Sequence, residues 1–209
     1  MIALSPVRPR RGRVTRTRRA IGAVIGASVV VAVLASGTAF GAQGSSVGAA
    51  TVSPAKWSGQ VCTALVSYKS DAAKLEKAFE AGIKNPKSLA EVKTKFTTFL
   101  KSNVSRANSL IAALGQAGTP KAPMGAQFAA AIKAGFVQLR DGFKSLVGSA
   151  QSVPTASVAD FESAFNTLQS QLNTLETQNQ TTFQAANQFS SAQLNTAFQA
   201  QKSCKALNA

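Results

Sequence analysis

Apolar residues recur at spacings of three and four in four successive stretches of the chain, the period of a helix with one buried face. The first stretch opens at Pro54, a residue well suited to a helix start. It places Trp57, Val61, Leu65, Tyr68, Ala72, Leu75 and Phe79 on one face before Gly82 and Asn85-Pro86 close it. Asp71–Lys74 and Glu80–Lys84 are spaced to pair on its outside. The second covers 88–114, with Ser88 and Glu91 reading as a capping box and Leu89, Val92, Phe96, Phe99, Ala107, Leu110 and Leu114 as its stripe. Leu100, Val104 and Ile111 broaden that stripe, Gly115 is the expected residue after the helix end, and 115–123 is the next loop. The third covers 124–153 with Phe128, Ile132, Phe136, Leu139, Phe143, Leu146 and Ala150, and Pro154 ends it. Its glycines (Gly125, Gly135, Gly142, Gly148) weaken it as an isolated helix and suggest close approach of a neighbour.

From Thr155 onward there is no glycine or proline, and Phe161, Phe165, Leu168, Leu172 and Leu175 form a regular stripe. The pattern loosens through Phe183 and Phe189 and resumes with Leu194, Phe198 and Leu207. One unbroken helix here would reach ~75 Å, against ~40 Å for its neighbours. A kink or break is therefore expected between Thr177 and Ser191. Nine glutamines and five asparagines between Asn166 and Gln201 read as an uncharged, solvated face. Strand signals are almost absent. The expectation is an all-α fold, an antiparallel up-down-up-down four-helix bundle over 54–209 whose last helix is long and kinked or broken.

Ahead of the stripes the pattern changes. Seven arginines (Arg8, Arg10, Arg11, Arg13, Arg16, Arg18, Arg19) and no acid precede an apolar run whose densest part is 21–35. A basic leader, an apolar middle and a small-residue tail form the layout of an export signal. Gly37 with Ala39, or Ala39 with Gly41, offers a cleavage site. Residues 1–42 are thus read as a signal peptide or an uncleaved signal anchor spanning 20–42, either of which leaves the remainder outside the membrane. Thr17-Arg18-Arg19-Ala20-Ile21 resembles a twin-arginine leader, with Ile21 where an aromatic is usual. Residues 43–53, small and polar without periodicity, read as a flexible linker.

Charge modifies this picture less than its total suggests. The chain carries +15, but without the leader arginines 16 basic residues face 8 acidic ones, a net +8. Fourteen of the 16 are lysine, with only Arg106 and Arg140 besides. Lysine is a hydrated point charge without the planar fork that reads phosphates and bases, and aromatics are not interleaved with it, so nucleic acid is not an expected partner. Lys69, Lys77, Lys84, Lys87, Lys93, Lys95 and Lys101 are the candidate contacts to an anionic envelope polymer or lipid surface.

The two cysteines, Cys62 and Cys204, both follow the leader. In an oxidising compartment two thiols in one small domain are expected to pair. An antiparallel bundle brings the start of its first helix to the end of its last. The chain has no histidine, which removes the base from Ser-His-Asp and Cys-His catalysis and most zinc ligation. The eight acids (Asp71, Glu76, Glu80, Glu91, Asp141, Asp160, Glu162, Glu176) fall on outward positions, with no Glu-x-x-His pair for a di-iron bundle. No phosphate-cradling glycine motif is present. An enzyme, a cofactor and a metal site are not expected.

The arginine-rich leader, a first helix carrying Trp57, Val61-Cys62 and Leu65, and a chain end reading Ser203-Cys204-Lys205-Ala206-Leu207 together resemble small exported actinobacterial helical-bundle proteins. That group is largely without assigned function. The resemblance implies an exported bundle and carries over no binding residue. The functional expectation is a structural or interaction role in the cell envelope or outside it, with an unknown envelope component or protein as partner. Membrane contact would run only through 20–42, if that segment is retained. The alternatives are the lysine-mediated module above and a carrier holding a small apolar ligand among Phe96, Phe99, Phe128, Phe136 and Phe143.

Overall fold

Serine starts most of the helices. In the computed structural model, which describes residues 50–207, α1 (Pro54–Ile83), α2 (Leu89–Gln116), α4 (Val158–Ala186) and α5 (Ala192–Ala200) each begin behind a serine. The hydroxyls of Ser53, Ser88, Ser157 and Ser191 accept the amides of Lys56, Glu91, Asp160 and Leu194. Each satisfies one of the donors a helix start leaves unpaired. At α2 the Glu91 carboxylate accepts the Lys87 amide at 2.7 Å, one residue ahead of the reach a capping box implies. That bond holds its carboxyl below the usual range against the opposing effect of burial, with Lys95 adding to the lowering.

Among the long helices α3 (Gly125–Gln151) lacks such a cap, following Met124 in the left-handed region at φ 56°. A four-residue helix, α6 (Lys202–Lys205), completes the set. The described chain is all-α apart from two paired dipeptides, β1 (Thr51–Val52) and β2 (Thr119–Pro120). Residues 1–42 and most of the stretch 43–53 lie outside the described residues.

The strand pair corrects the reading of the last residues before α1. Thr51 pairs with Thr119 and Val52 with Pro120 in parallel, and the carbonyls of Ala50 and Val52 accept the amides of Thr119 and Lys121 at 3.0 and 2.8 Å. This contact explains a second correction. The glycine that terminates α2 is Gly118, at φ +74°, and not Gly115, which stays helical. A side chain at Gly118 would collide with the Ala50 carbonyl, so this position needs both the left-handed conformation and the missing Cβ.

Long-range contacts fix how the helices lie. Asp71 meets Arg106 at 2.7 Å and Gly82 faces Lys95, so α2 returns along α1. Lys93 reaches the Val153 carbonyl at 2.8 Å. Between α3 and α4, Gly135 lies under the Phe183 ring and Gly142 under Leu175, where added Cβ atoms would overlap those side chains. The glycines at these two positions permit close approach, whereas Gly148 has open space around it. Asp71–Lys74 closes at 3.2 Å; Glu80 and Lys84 do not form the pair their spacing suggested.

The expected break comes at residues 187–191, as a 3-10 turn (Asn187–Phe189) and the Ser191 cap. A second break follows at Gln201, whose backbone is extended. Across these breaks the tail crosses to α1. Phe198 packs on Trp57 and Phe128, with ring centres 5.8 and 6.0 Å away. The Gln201 side chain donates to the Ala55 carbonyl at 3.0 Å.

The core runs the length of the helices as three aromatic groups. Phe79, Phe96, Phe99, Phe161 and Phe165 fill the region where α2 and α4 begin. Tyr68, Phe136 and Phe183 occupy the middle, and Trp57, Phe128 and Phe198 the far end. Burial pushes the Tyr68 hydroxyl from its ordinary 10.0 up to about 12, because the interior disfavours the phenolate. The folded state therefore favours neutral tyrosine, so its contribution to stability is complete below pH ~10 and is lost as pH rises through ~12. Tyr68 is the sole tyrosine. Ultraviolet titration is expected to give a tyrosinate midpoint near 12 while the helical circular dichroism persists; a midpoint near 10 in folded protein would contradict its burial.

One part of the amide-rich face turns inward. Asn179 is buried on α4 in line with Leu175, Phe183 and Ala186, and its carbonyl oxygen has no partner among the described residues. The same holds for the carbonyl oxygen of Asn187 at the break. The solvated-face reading fails for these two.

Candidate functional site

Cys62 and Cys204 are bonded, with sulfurs 2.01 Å and Cα atoms 4.9 Å apart across a sequence separation of 142. Cys62 is buried in α1, and Cys204 sits half-buried on α6 rather than at the end of a continuous fourth helix. The bond closes the tail onto the start of the first helix.

The seven lysines singled out by sequence do not act as one surface. Three have their ammonium groups engaged: Lys69 on the Leu207 carbonyl at 3.0 Å, Lys93 on the Val153 carbonyl, and Lys95 on Glu91 at 3.6 Å. Lys77, Lys84, Lys87 and Lys101 are exposed and form no ion pair among the described residues. Most of the group gathers where α1 ends and α2 begins, and that end also carries Glu76, Glu80 and Glu91. Glu76 is held above the usual carboxylate range, first by partial burial and then by Glu80 beside it. The α4 start, with Asp160 and Glu162, is brought to the same end by the Phe96–Phe165 contact at 5.1 Å. Charges of both signs lie there in similar number, and the field they make together is weak.

The opposite end has a different character. It is built from the first turn of α1, the 117–124 loop, the first turns of α3 and the tail. The Trp57 indole donates to the Gly118 carbonyl at 3.1 Å, tying α1 to the loop, and Gln201 and the disulfide tie the tail to α1. Lys56, Lys121, Lys202 and Lys205 are exposed there, and Lys133, near Gly115, lies two turns along α3. Among the described residues no acidic side chain joins them. Asp71 is 15 residues past Lys56 and Asp141 is 16 past the start of α3, each ~23 Å along its helix axis from that point. Lys205 lies nearer to Asp71, because Cys204 bonds Cys62 and the Leu207 carbonyl meets Lys69, but Asp71 is engaged by Lys74 and Arg106. Glu176 lies one residue past Leu175, which packs at Gly142, next to Asp141. Sequence reasoning missed this set. Its signal was present, since 43–70, 92–140 and 177–209 contain no acid, but only the fold brings parts of those three stretches together.

An open recess of about 480 Å³ lies at this end, lined chiefly by the 119–127 loop and helix start, with Thr51 and Gln193 at its edge. It is not in the phenylalanine core. The rings named for an apolar carrier pack on one another and on their neighbours: Phe96 on Phe165, Phe128 on Trp57 at 5.8 Å, and Phe136 on Phe183 at 4.9 Å. Among the described residues no three His, Cys, Asp or Glu side chains gather as metal ligands. No described helix is long and apolar enough to cross a membrane.

The chain matches no protein-family model, no characterised protein and no solved structure.

Proposed function

We propose that this is an exported, non-enzymatic helical protein that works in or beside the cell envelope through its surface. On this reading its four long helices form an up-down-up-down bundle, in which the pairs Asp71–Arg106, Lys93–Val153 and Gly142–Leu175 mark each return. The tail beyond residue 186 then folds over one end. It would belong with the small exported actinobacterial bundles that its leader and cysteine placement resemble, and it would need no cofactor.

The observation that carries this reading is the Cys62–Cys204 bond. Such bonds persist in oxidising compartments and are rare in the cytosol, which accords with the arginine-led apolar segment at 1–42. The absence of histidine from the chain and the scattered acids leave surface recognition as the better-supported mode of action.

Intact-mass measurement on the native protein from fractionated cells tests it. The expected result is protein outside the cytosol with both thiols blocked to alkylation, its mass reporting whether 1–42 has been removed. Full-length protein in the cytosol with two reactive thiols would end the proposal.

A further inference from the structure

The basic end closed by the disulfide is a more specific feature than a generally lysine-rich surface. Lys56, Lys121, Lys202 and Lys205 come from α1, the β2 loop and α6, elements joined by the Trp57–Gly118 hydrogen bond, the Val52–Lys121 strand contact, Gln201 and the Cys62–Cys204 bond. They are held on one end and not merely scattered along a chain. The nearest acid on α1, Asp71, is engaged by Lys74 and Arg106, and none of the four lysines forms an ion pair among the described residues. Beside Lys121 the surface turns apolar: Pro123 is exposed, and Ala122 and Met124 are half-buried at the open recess. The described chain also begins here, since the Ala50 carbonyl accepts the Thr119 amide.

From these observations we infer that the disulfide-closed end is a docking surface for an anionic lipid bilayer, with Lys56, Lys121, Lys202 and Lys205 on the headgroups and the Pro123–Met124 tip in the interface. Lysine suits this partner because it acts as a point charge on headgroups without demanding bidentate geometry. Each lysine near an anionic leaflet strengthens binding roughly fivefold, and an apolar tip adds burial at the headgroup boundary. A soluble anionic polymer would use the lysines but leave the apolar tip without a role. The orientation agrees with the leader: if 20–42 is retained in the membrane, the eight peptide links from Ala42 to Ala50 span at most ~29 Å, which keeps this end, and not the one carrying Lys84 and Lys87, near the bilayer. The inference deepens the envelope reading by naming the partner, and its test is independent of where the protein resides in cells.

The test is a lysine footprint of the disulfide-intact full chain, acetylated in the presence of phosphatidylglycerol vesicles or neutral phosphatidylcholine vesicles and read by peptide mass spectrometry. Adsorption through the leader would itself bring this end near the bilayer, so the lysine variant below separates docking from tethering. On the anionic vesicles Lys56, Lys121, Lys202 and Lys205 are expected to lose reactivity about fivefold or more, while Lys77, Lys84, Lys87 and Lys101 change little. The protection should disappear near 1 M salt, where the screening length is ~3 Å. Protection of both sets alike, of neither, or equally on the neutral vesicles overturns the inference. So does protection of the first set by a soluble polyanion but not by vesicles, which would assign the surface to a polymer. A Lys56→Gln, Lys121→Gln, Lys202→Gln, Lys205→Gln variant should leave Pro123 and Met124 as accessible to oxidative footprinting on anionic vesicles as in buffer, whereas the parent chain protects them.

Discussion

Reducing the Cys62–Cys204 bond is expected to lower the unfolding free energy by about 5 kcal/mol, measured by urea denaturation with and without reductant. The magnitude follows from loop closure. The bond joins residues 142 apart, and cross-linking a loop of that length removes roughly 5 kcal/mol of unfolded-chain entropy in the chain-entropy account. Domains of this size have ~5–15 kcal/mol in total, so the reduced form should unfold at a much lower urea concentration. Reduction is a cleaner test than replacement by alanine, which also leaves a gap at the buried Cys62 site. The structure adds a local signature. At four residues, α6 is too short to persist by itself, and Leu207 and Cys204 are only half-buried. Amide exchange over 201–207 should therefore accelerate first, while α5 stays protected through Leu194, Ala197 and Phe198, which are buried. A loss below about 1 kcal/mol, with exchange in the tail unchanged, would show that packing and not the bond holds the ends together.

How far residues alone disclose this fold depends on how local the cause is. Helix positions were legible because burial repeats every three to four residues: Val92, Phe96, Leu110 and Leu114 are buried as their spacing required. The break after α4 was legible because a single helix would have outrun its neighbours, and it falls inside the expected 177–191 window. The choice of Gly118 over Gly115 was not legible, since both are glycines near a helix end and the deciding contact, the Ala50 carbonyl, lies far away in sequence. The strand pair was hidden for the same reason. Two residues carry no period, and their partner is remote. Asn179 could have been caught: it follows Leu175 by four and precedes Phe183 by four, so an asparagine on the apolar stripe was visible before the polar composition of the segment suggested solvent. For the candidate site, outward direction was legible for each lysine but the net field was not. A helix wheel says which side a lysine faces, and only the tertiary arrangement says which carboxylates face the same way. The candidates read from sequence are the lysines of the first two helices, Lys84 and Lys87 among them, a set that does not include Lys121 and Lys202.

Trp57→Ala is expected to destabilise the protein by about 3–5 kcal/mol, the range for truncating a fully buried large aromatic. Trp57 is 1% exposed and packs edge-on to both Phe128 and Phe198, with centroids 5.8 Å away in each case. It is therefore the common wall between α1, α3 and the tail. Its indole N–H also satisfies the Gly118 carbonyl at 3.1 Å, in the loop that pairs with β1. Trp57→Phe separates the two contributions. It keeps most of the aromatic packing but leaves the Gly118 carbonyl without its donor, at a cost of about 1–3 kcal/mol. Urea denaturation followed by circular dichroism should rank the three proteins, with alanine well below phenylalanine and phenylalanine below the parent. Trp57 is the only tryptophan, so the parent's emission should be blue-shifted when folded and move to the red in the same transition. If alanine and phenylalanine cost the same, the indole matters as a hydrogen-bond donor and not as a wall.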